Sequence, residues 1–191
     1  MEDFIVRSDQ YADLRLRTVS EQDLDNLRKW KNKNKRSFFF QEEITDIMQR
    51  DWYRNYLAAD NGYMFMVEEL PPLETSSVQI HTIGCMGFRK CNSGGVDLYN
   101  IIRGEASVNC VSMRSAMRLL VSFVSIWDKR ISCKVLPDNP AREWYLEVGF
   151  AVEEQFEDYI LMRPKENIQM VVGMEIIKVD KVHTHIAELN R

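Results

Sequence analysis

No run of apolar residues in these 191 positions approaches the ~18 that a membrane-spanning helix needs. Cysteine is scarce and unpatterned. The four (Cys85, Cys91, Cys110 and Cys133) form no CxxC pair and follow no framework spacing, which leaves reduced, mostly buried thiols as the expectation. A large excess of one charge is also missing. With 25 basic and 29 acidic side chains the formal charge is -4, which argues against a dedicated nucleic-acid binder. Repeats and low-complexity tracts are absent, and the opening MEDFIVRSDQ is polar and acidic, unlike a signal peptide. What remains is ordinary globular material, 45% hydrophobic and 28% charged, with a length that suits one domain and a sizeable core. The expectation is a soluble, cytoplasmic protein without nucleic-acid or membrane partners.

The most informative stretch is ISCKVLPDNPAREWYLEVGF, residues 131–150. Ile131, Cys133 and Val135 alternate with polar neighbours, which predicts a short strand. Pro137-Asp138-Asn139-Pro140 stops it, because proline cannot donate to a ladder and Asp-Asn favours a turn. Ala141 to Val148 is then about two helical turns, closed at Gly149, where a left-handed residue is wanted.

Earlier in the chain, Leu14 to Val19 alternates as a strand. Ser20 and Asp23 make a capping box before a helix carrying Leu24, Leu27 and Trp30. The far half of that helix is basic (Arg28, Lys29, Lys31, Lys33, Lys35, Arg36). It is either a solvated face or a grip on an acidic acceptor such as a diphosphate. Phe38-Phe39-Phe40 either plugs the core or sits on a specificity loop. Thr45 to Ala58 is a second helix whose stripe, Met48, Trp52 and Tyr56 with Ile44 and Ile47, reads as core. Strands follow at 63–67, from Gln79 through Phe88, and at 96–103, with a polar loop at 71–77. Met113, Ala116, Met117, Leu120, Val124 and Trp127 fall at helical spacing. Strands at 151–155 and 159–163 come next, and a further apolar run spans 170–177. One domain is expected over residues 1–164, with 165–191 as a C-terminal extension.

Asn139, Tyr145, Gly149 and Phe150 resemble the Asn-x-x-Ala-x-x-x-Tyr-x-x-x-Gly-Phe segment of the GNAT family of N-acetyltransferases, with the Asn-to-Tyr gap one residue shorter. The order of strands and helices over residues 14–163 resembles the same family, most closely its amino-sugar, nucleotide-sugar and ribosomal-protein types. The resemblance implies an α/β fold: a mixed, mostly antiparallel sheet of about six to seven strands with about four helices, and splayed fourth and fifth strands. It implies acetyl transfer from acetyl-coenzyme A to a primary amine, with no metal. His183 and His185 are too little for a metal site.

By the same resemblance, the backbone of Asn100, Ile101 and Ile102 pairs with the pantetheine arm, and an N–H there stabilises the oxyanion. The pyrophosphate falls at the helix beginning near Met113. The family's turn there is degenerate in this chain: Val111 and Arg114 replace its Arg/Gln and first Gly, leaving Ser112, Arg114 and Ser115 as the expected contacts. Asn139 orients the cofactor, or is a plain turn residue. Tyr145 protonates the leaving thiolate, or is an interfacial aromatic. Asp97 is the favoured base, with Glu105 also in position and a salt-bridged structural role the competing reading for Asp97. Period two puts Asp97, Tyr99 and Ile101 on one face.

The acceptor expected is a small phosphorylated or nucleotide-linked amino sugar, with Arg28, Lys31 or Lys35 on its charge. Alternatives are a protein amino terminus, or a silent module binding coenzyme A or a partner; a homodimer stays open.

Overall fold

The parting of two parallel strands in the middle of one sheet organises this molecule. The computed structural model describes residues 2–71, 79–108 and 113–179. Its strands are β1 (Phe4–Ser8), β2 (Leu14–Thr18), β3 (Gly62–Glu69), β4 (His81–Lys90), β5 (Val96–Arg103), β6 (Ile131–Val135), β7 (Phe150–Gln155), β8 (Ile160–Pro164) and β9 (Met174–Lys178). They form one nine-stranded sheet in the order β7-β8-β6-β5-β4-β3-β2-β1-β9. Every pairing is antiparallel except β5 with β6. The helices are α1 (Leu24–Lys33), α2 (Asp46–Ala59), α3 (Met113–Ser125) and α4 (Arg142–Val148). This is the expected mixed α/β architecture; the two strands beyond the expected count, β1 and β9, pair with each other at the sheet's edge.

Each helix has a local cause. The capping box ahead of α1 is present: the Ser20 N–H donates to Asp23 Oδ2 at 2.7 Å. Thr45 caps α2 by accepting from the Met48 N–H at 3.3 Å. Gly149 ends α4 at φ 116, a left-handed position that costs glycine little. α3 buries Ala116, Met117, Leu119, Leu120, Phe123 and Val124 without trace of exposure. At about 1.5–3 kcal/mol for each large apolar side chain, it anchors the core on one sheet face. It ends at Ser125, so Trp127 lies in the following turn, edge-on to Tyr63 and Phe88.

α1 and α2 cover the other face. Leu24, Leu27, Trp30 and Tyr56 cluster there with Met64, Met66, Cys85 and Ile102. Contact is close: a Cβ on Gly104 would come within 2.0 Å of the Trp30 ring. The α2 stripe is only partly core. Tyr56 is buried, whereas Ile47 is 72% and Met48 38% exposed.

A bulge decides which face each β5 residue meets. Gly87 pairs with Tyr99 and Cys85 with Ile102, so Met86 opposes two residues, Asn100 and Ile101. Asn100 takes φ 51, a left-handed conformation that Asn tolerates better than most residues. The extra residue shifts the phase. Leu98 and Ile101 both join the α3-side core, while Tyr99 and Ile102 join the α1/α2 side. Strict alternation had placed Ile101 with Asp97 and Tyr99, and the bulge corrects that. On its other side β5 pairs with β6 only at Val96↔Ile131, Asp97↔Ser132 and Leu98↔Cys133. Past that point the strands splay.

Cys85, Cys91 and Cys133 are free thiols. Cys110, Val111, Ser112, His183, His185 and loop residues 72–77 lie outside the described residues. Among the described residues no helix is long and apolar enough to cross a membrane, and no cluster could hold a metal ion.

Candidate active site

Where β5 and β6 part, a cleft of 820 Å³ opens. One wall is the Ser37–Phe40 segment between α1 and α2; the other is the Asn139–Ala141 turn, Tyr145 of α4 and Tyr159 of the β7–β8 turn. Asn100, Ile101 and Ile102 line it, as does Asp97. Because β6 stops pairing with β5 at Leu98↔Cys133, this part of β5 has no strand partner on that side among the described residues. An extended, amide-bearing chain fits such a gap as an added strand.

The Tyr145 ring packs edge-on against Trp144 and Phe150, and its residue is 8% exposed. Its hydroxyl has no hydrogen-bond partner among the described residues. Burial pushes the phenol well above its ordinary value, and the neighbouring Cys133 and Asp97 add to this. Tyr145 is therefore a phenol that keeps its proton at the cleft wall, able to donate a hydrogen bond to charge that develops beside it.

Asp97 is 5% exposed. Its Oδ2 accepts from Arg89 Nη2 at 2.9 Å and Nε at 3.3 Å, while Oδ1 is buried with no partner among the described residues. A carboxylate oxygen left so in a cleft wall is costly unless a ligand or proton comes to it. Glu105 is placed differently. It accepts from Trp30 Nε1 at 2.9 Å, which lowers its carboxyl below the ordinary value, and it does not line the cleft.

Asn139 lines the cleft with its amide already engaged. Nδ2 donates to the Ser37 carbonyl at 3.1 Å, and Oδ1 accepts from the Ala141 N–H at 2.8 Å. It staples the two walls together. Cys85 Sγ donates to the Asn100 carbonyl at 3.4 Å, and burial pushes this thiol up to about 12, so the donor keeps its proton. The bulge is thus held from behind.

Of the expected pyrophosphate contacts, Ser112 lies outside the described residues, and the other two are at the start of α3. Arg114 is half-exposed and paired with Glu147 of α4; Ser115 is half-buried in the first turn of α3; neither lines the cleft. Of the three cations expected to meet an acceptor, only Lys31 lines the cleft. Arg28 pairs with Asp25, and Lys35 is exposed. Lys31 has no carboxylate partner among the described residues, and burial lowers its ammonium below the ordinary lysine range.

Charge around the cleft runs against that of the whole chain. Lys31, Arg89, Arg103 and Lys134 line it against Asp97 and Asp158, four cations to two carboxylates. Lys134 lies over the Tyr159 ring at 4.7 Å.

Beside the cleft, beneath α1 and α2, is a recess of 210 Å³ that shares Lys31, Phe40, Trp52, Asn100 and Ile102 with it. Met48, Gln49 and Cys85 also line this recess, and nothing in the sequence reading had marked them as site residues. One signal separates Lys31 from Arg28 and Lys35. Lys31 follows Leu24 and Leu27 by seven and four residues, so it continues the inward stripe of α1 instead of the solvent face.

A family model described as an acetyltransferase (GNAT) domain matches residues 13–157. A domain from Methanocaldococcus jannaschii superposes with a TM-score of 0.63 at 15% identity, covering 78% of this chain and 97% of that one. A protein described as a nucleotide-linked sugar GNAT gives 0.61 at 20% identity, with 80% and 86% covered. Spermidine N-acetyltransferase from Vibrio cholerae, solved with coenzyme A and spermine, gives 0.60 at 22% identity, with 79% and 94% covered. Among curated proteins, none matches this chain by sequence.

Proposed function

The chain belongs to the GNAT acetyltransferase family, and from that premise we propose that it moves the acetyl group of acetyl-coenzyme A to the primary amine of a small phosphorylated or nucleotide-linked amino sugar. The observation that carries this is the cleft at the parted strands. There a protonated Tyr145 and the unpartnered Asp97 oxygen share one wall system lined by twice as many cations as carboxylates.

The residues divide the work in sequence. The unpaired β5 edge at 100–102 holds the pantetheine arm, and its N–H groups meet charge developing on the thioester oxygen. Asp97 Oδ1 accepts a proton from the acceptor's ammonium, directly or through one water. As the new N–C bond forms and the C–S bond breaks, Tyr145 gives its hydroxyl proton to the sulfur, the nitrogen's second proton restores the phenol, and the one proton left over, on Asp97, passes to solvent. Arg89 keeps Asp97 oriented and offsets its charge.

Cations on the cleft wall favour an acceptor that brings negative charge. A polyamine such as the spermine held by the Vibrio cholerae enzyme meets Lys31 and Lys134 as like charges. The reading is tested by calorimetric titration with acetyl-coenzyme A, followed by thiol release with amino-sugar nucleotides, sugar phosphates, spermidine and peptides. Binding, with turnover of the anionic amines, is expected. No binding at millimolar cofactor would leave a silent module; peptides as the sole acceptors would make it a protein acetyltransferase.

A further inference from the structure

The 210 Å³ recess has walls unlike those of the open cleft. Ile44, Met48, Trp52 and their neighbours make it largely apolar. Two polar groups converge in it with no hydrogen bond or ion pair among the described residues. Gln49 is 6% exposed, and its side-chain amide has no hydrogen bond among the described residues. Lys31 lines the same space without a carboxylate. The Gln49 side chain is held in the fold and lines the recess, so its amide is free to pair a polar group placed there. The recess opens at Asn100, the bulge where the acceptor's amine must arrive if the acetyltransferase reading holds.

We propose that this recess is the site of the acceptor's head. It selects a compact, sparsely hydroxylated amine whose head carries one hydrogen-bond-accepting or anionic group, met jointly by the Lys31 ammonium and the Gln49 amide. A fully hydroxylated sugar leaves hydroxyls against Ile44, Met48 and Trp52, where they lose water and gain nothing. A polycationic amine places an ammonium beside Lys31. The acceptor class is thereby narrowed from amino sugars in general to deoxygenated ones, with the remainder of the molecule, and its phosphate charge, in the wider cationic cleft.

The proposal rests on the acetyltransferase reading, so the experiment separates the two. Thiol release from acetyl-coenzyme A is followed with a nucleoside-diphosphate-linked amino-deoxy sugar, its fully hydroxylated counterpart, and spermidine. The enzymes are the wild type, Gln49→Leu, Lys31→Met and Lys31→Arg. The wild type should prefer the deoxy substrate by about tenfold or more in kcat/KM, the discrimination a single added or missing group gives. Gln49→Leu and Lys31→Met should each raise its KM about tenfold and shrink that preference. Lys31→Arg should recover much of the loss, and the Kd of acetyl-coenzyme A should stay constant throughout. Thermal melting of the four proteins separates these effects from misfolding, and Lys31→Arg keeps the test open if Lys31→Met does not fold. Equal use of the two sugars, a preference for spermidine, or selectivity unmoved by both variants overturns the proposal. So does a gain by Gln49→Leu on butyryl-coenzyme A alone, which would assign the recess to the acyl chain. A wild type that binds no acetyl-coenzyme A instead removes the acetyltransferase reading, and the recess assignment with it.

Discussion

Two buried charge clusters sit on the α1/α2 side of the same sheet, and they are finished to different degrees. At the start of α1, every carboxylate oxygen of Asp23 and Glu68 has a donor. Arg17 reaches both oxygens of Asp23, the Ser20 N–H adds to one of them, and Arg15 and Arg17 take one oxygen each of Glu68 at 2.6 Å. In the cleft, Arg89 takes one oxygen of Asp97 and the other has nothing. The first cluster ties β2, β3 and the start of α1 into one piece. The second leaves one Asp97 oxygen and the Tyr145 hydroxyl without a hydrogen bond among the described residues, on side chains that line a space large enough for substrate. A completed network marks structure; an incomplete one beside a cavity marks chemistry.

The sharpest way to break that contrast is Tyr145→Phe. It removes the proton donor while leaving the ring packed against Trp144 and Phe150. General acid catalysis is worth about 10²–10⁴-fold, or roughly 3–5 kcal/mol of barrier. That loss should appear in the single-turnover rate, with melting temperature and acetyl-coenzyme A affinity close to wild type, because the hydroxyl has no folded-state partner to lose. An unchanged single-turnover rate would make Tyr145 a packing residue only.

A matched pair of substitutions tests the two clusters against each other. Asp97→Asn should slow turnover by about 10²-fold. Its melting temperature should shift little, since Arg89 can still meet the amide oxygen and the second oxygen has no hydrogen bond among the described residues to lose. Asp23→Asn should do the reverse, costing about 1–3 kcal/mol of stability with kcat little altered. Burial alone would push the Asp23 carboxyl up, but hydrogen bonds from Arg17 and the Ser20 N–H outweigh it and hold the group below its ordinary value. Its contribution is therefore fully present above the unfolded value of about 3.9 and lost as pH falls through the lower folded value. Acid unfolding of the wild type should steepen below about pH 4, and Asp23→Asn should blunt that step. Equal stability loss in both variants would dissolve the distinction.

The same contrast explains what could be read before the fold was known. Binary patterning found β2 through β8 and all four helices, because each has a buried face repeated at its own period. β1 and β9 escaped: FIVRS and MEIIK are short, and their pairing joins residues about 170 positions apart. Tyr145 was legible through its place before Gly149-Phe150. The recess was not, since Met48 and Trp52 keep the spacing of a core stripe, and spacing cannot show that α1 and α2 leave a gap behind them. The Asn100 bulge was equally hidden, for one inserted residue changes faces without changing composition.

The smallest effect expected concerns the reach of the cleft's charge. Lys31 and Lys134 line it without carboxylate partners among the described residues, Lys31 partly buried and Lys134 exposed. The phosphate charge of an acceptor held in the open cleft is screened over about 8–10 Å at 0.1–0.15 M ionic strength. Between low salt and about 0.5 M, the acceptor's KM should then rise two- to fivefold, a change of under about 1 kcal/mol, the size expected of exposed ion pairs. The single-turnover rate at saturating acceptor should stay flat, because Tyr145 and Asp97 are buried and poorly screened. Asp23–Arg17 supplies the internal control: fully paired and largely buried, it should leave the melting temperature nearly constant over the same range. A KM indifferent to salt would mean that the cations orient the wall and not the acceptor, and that a neutral amine occupies the cleft.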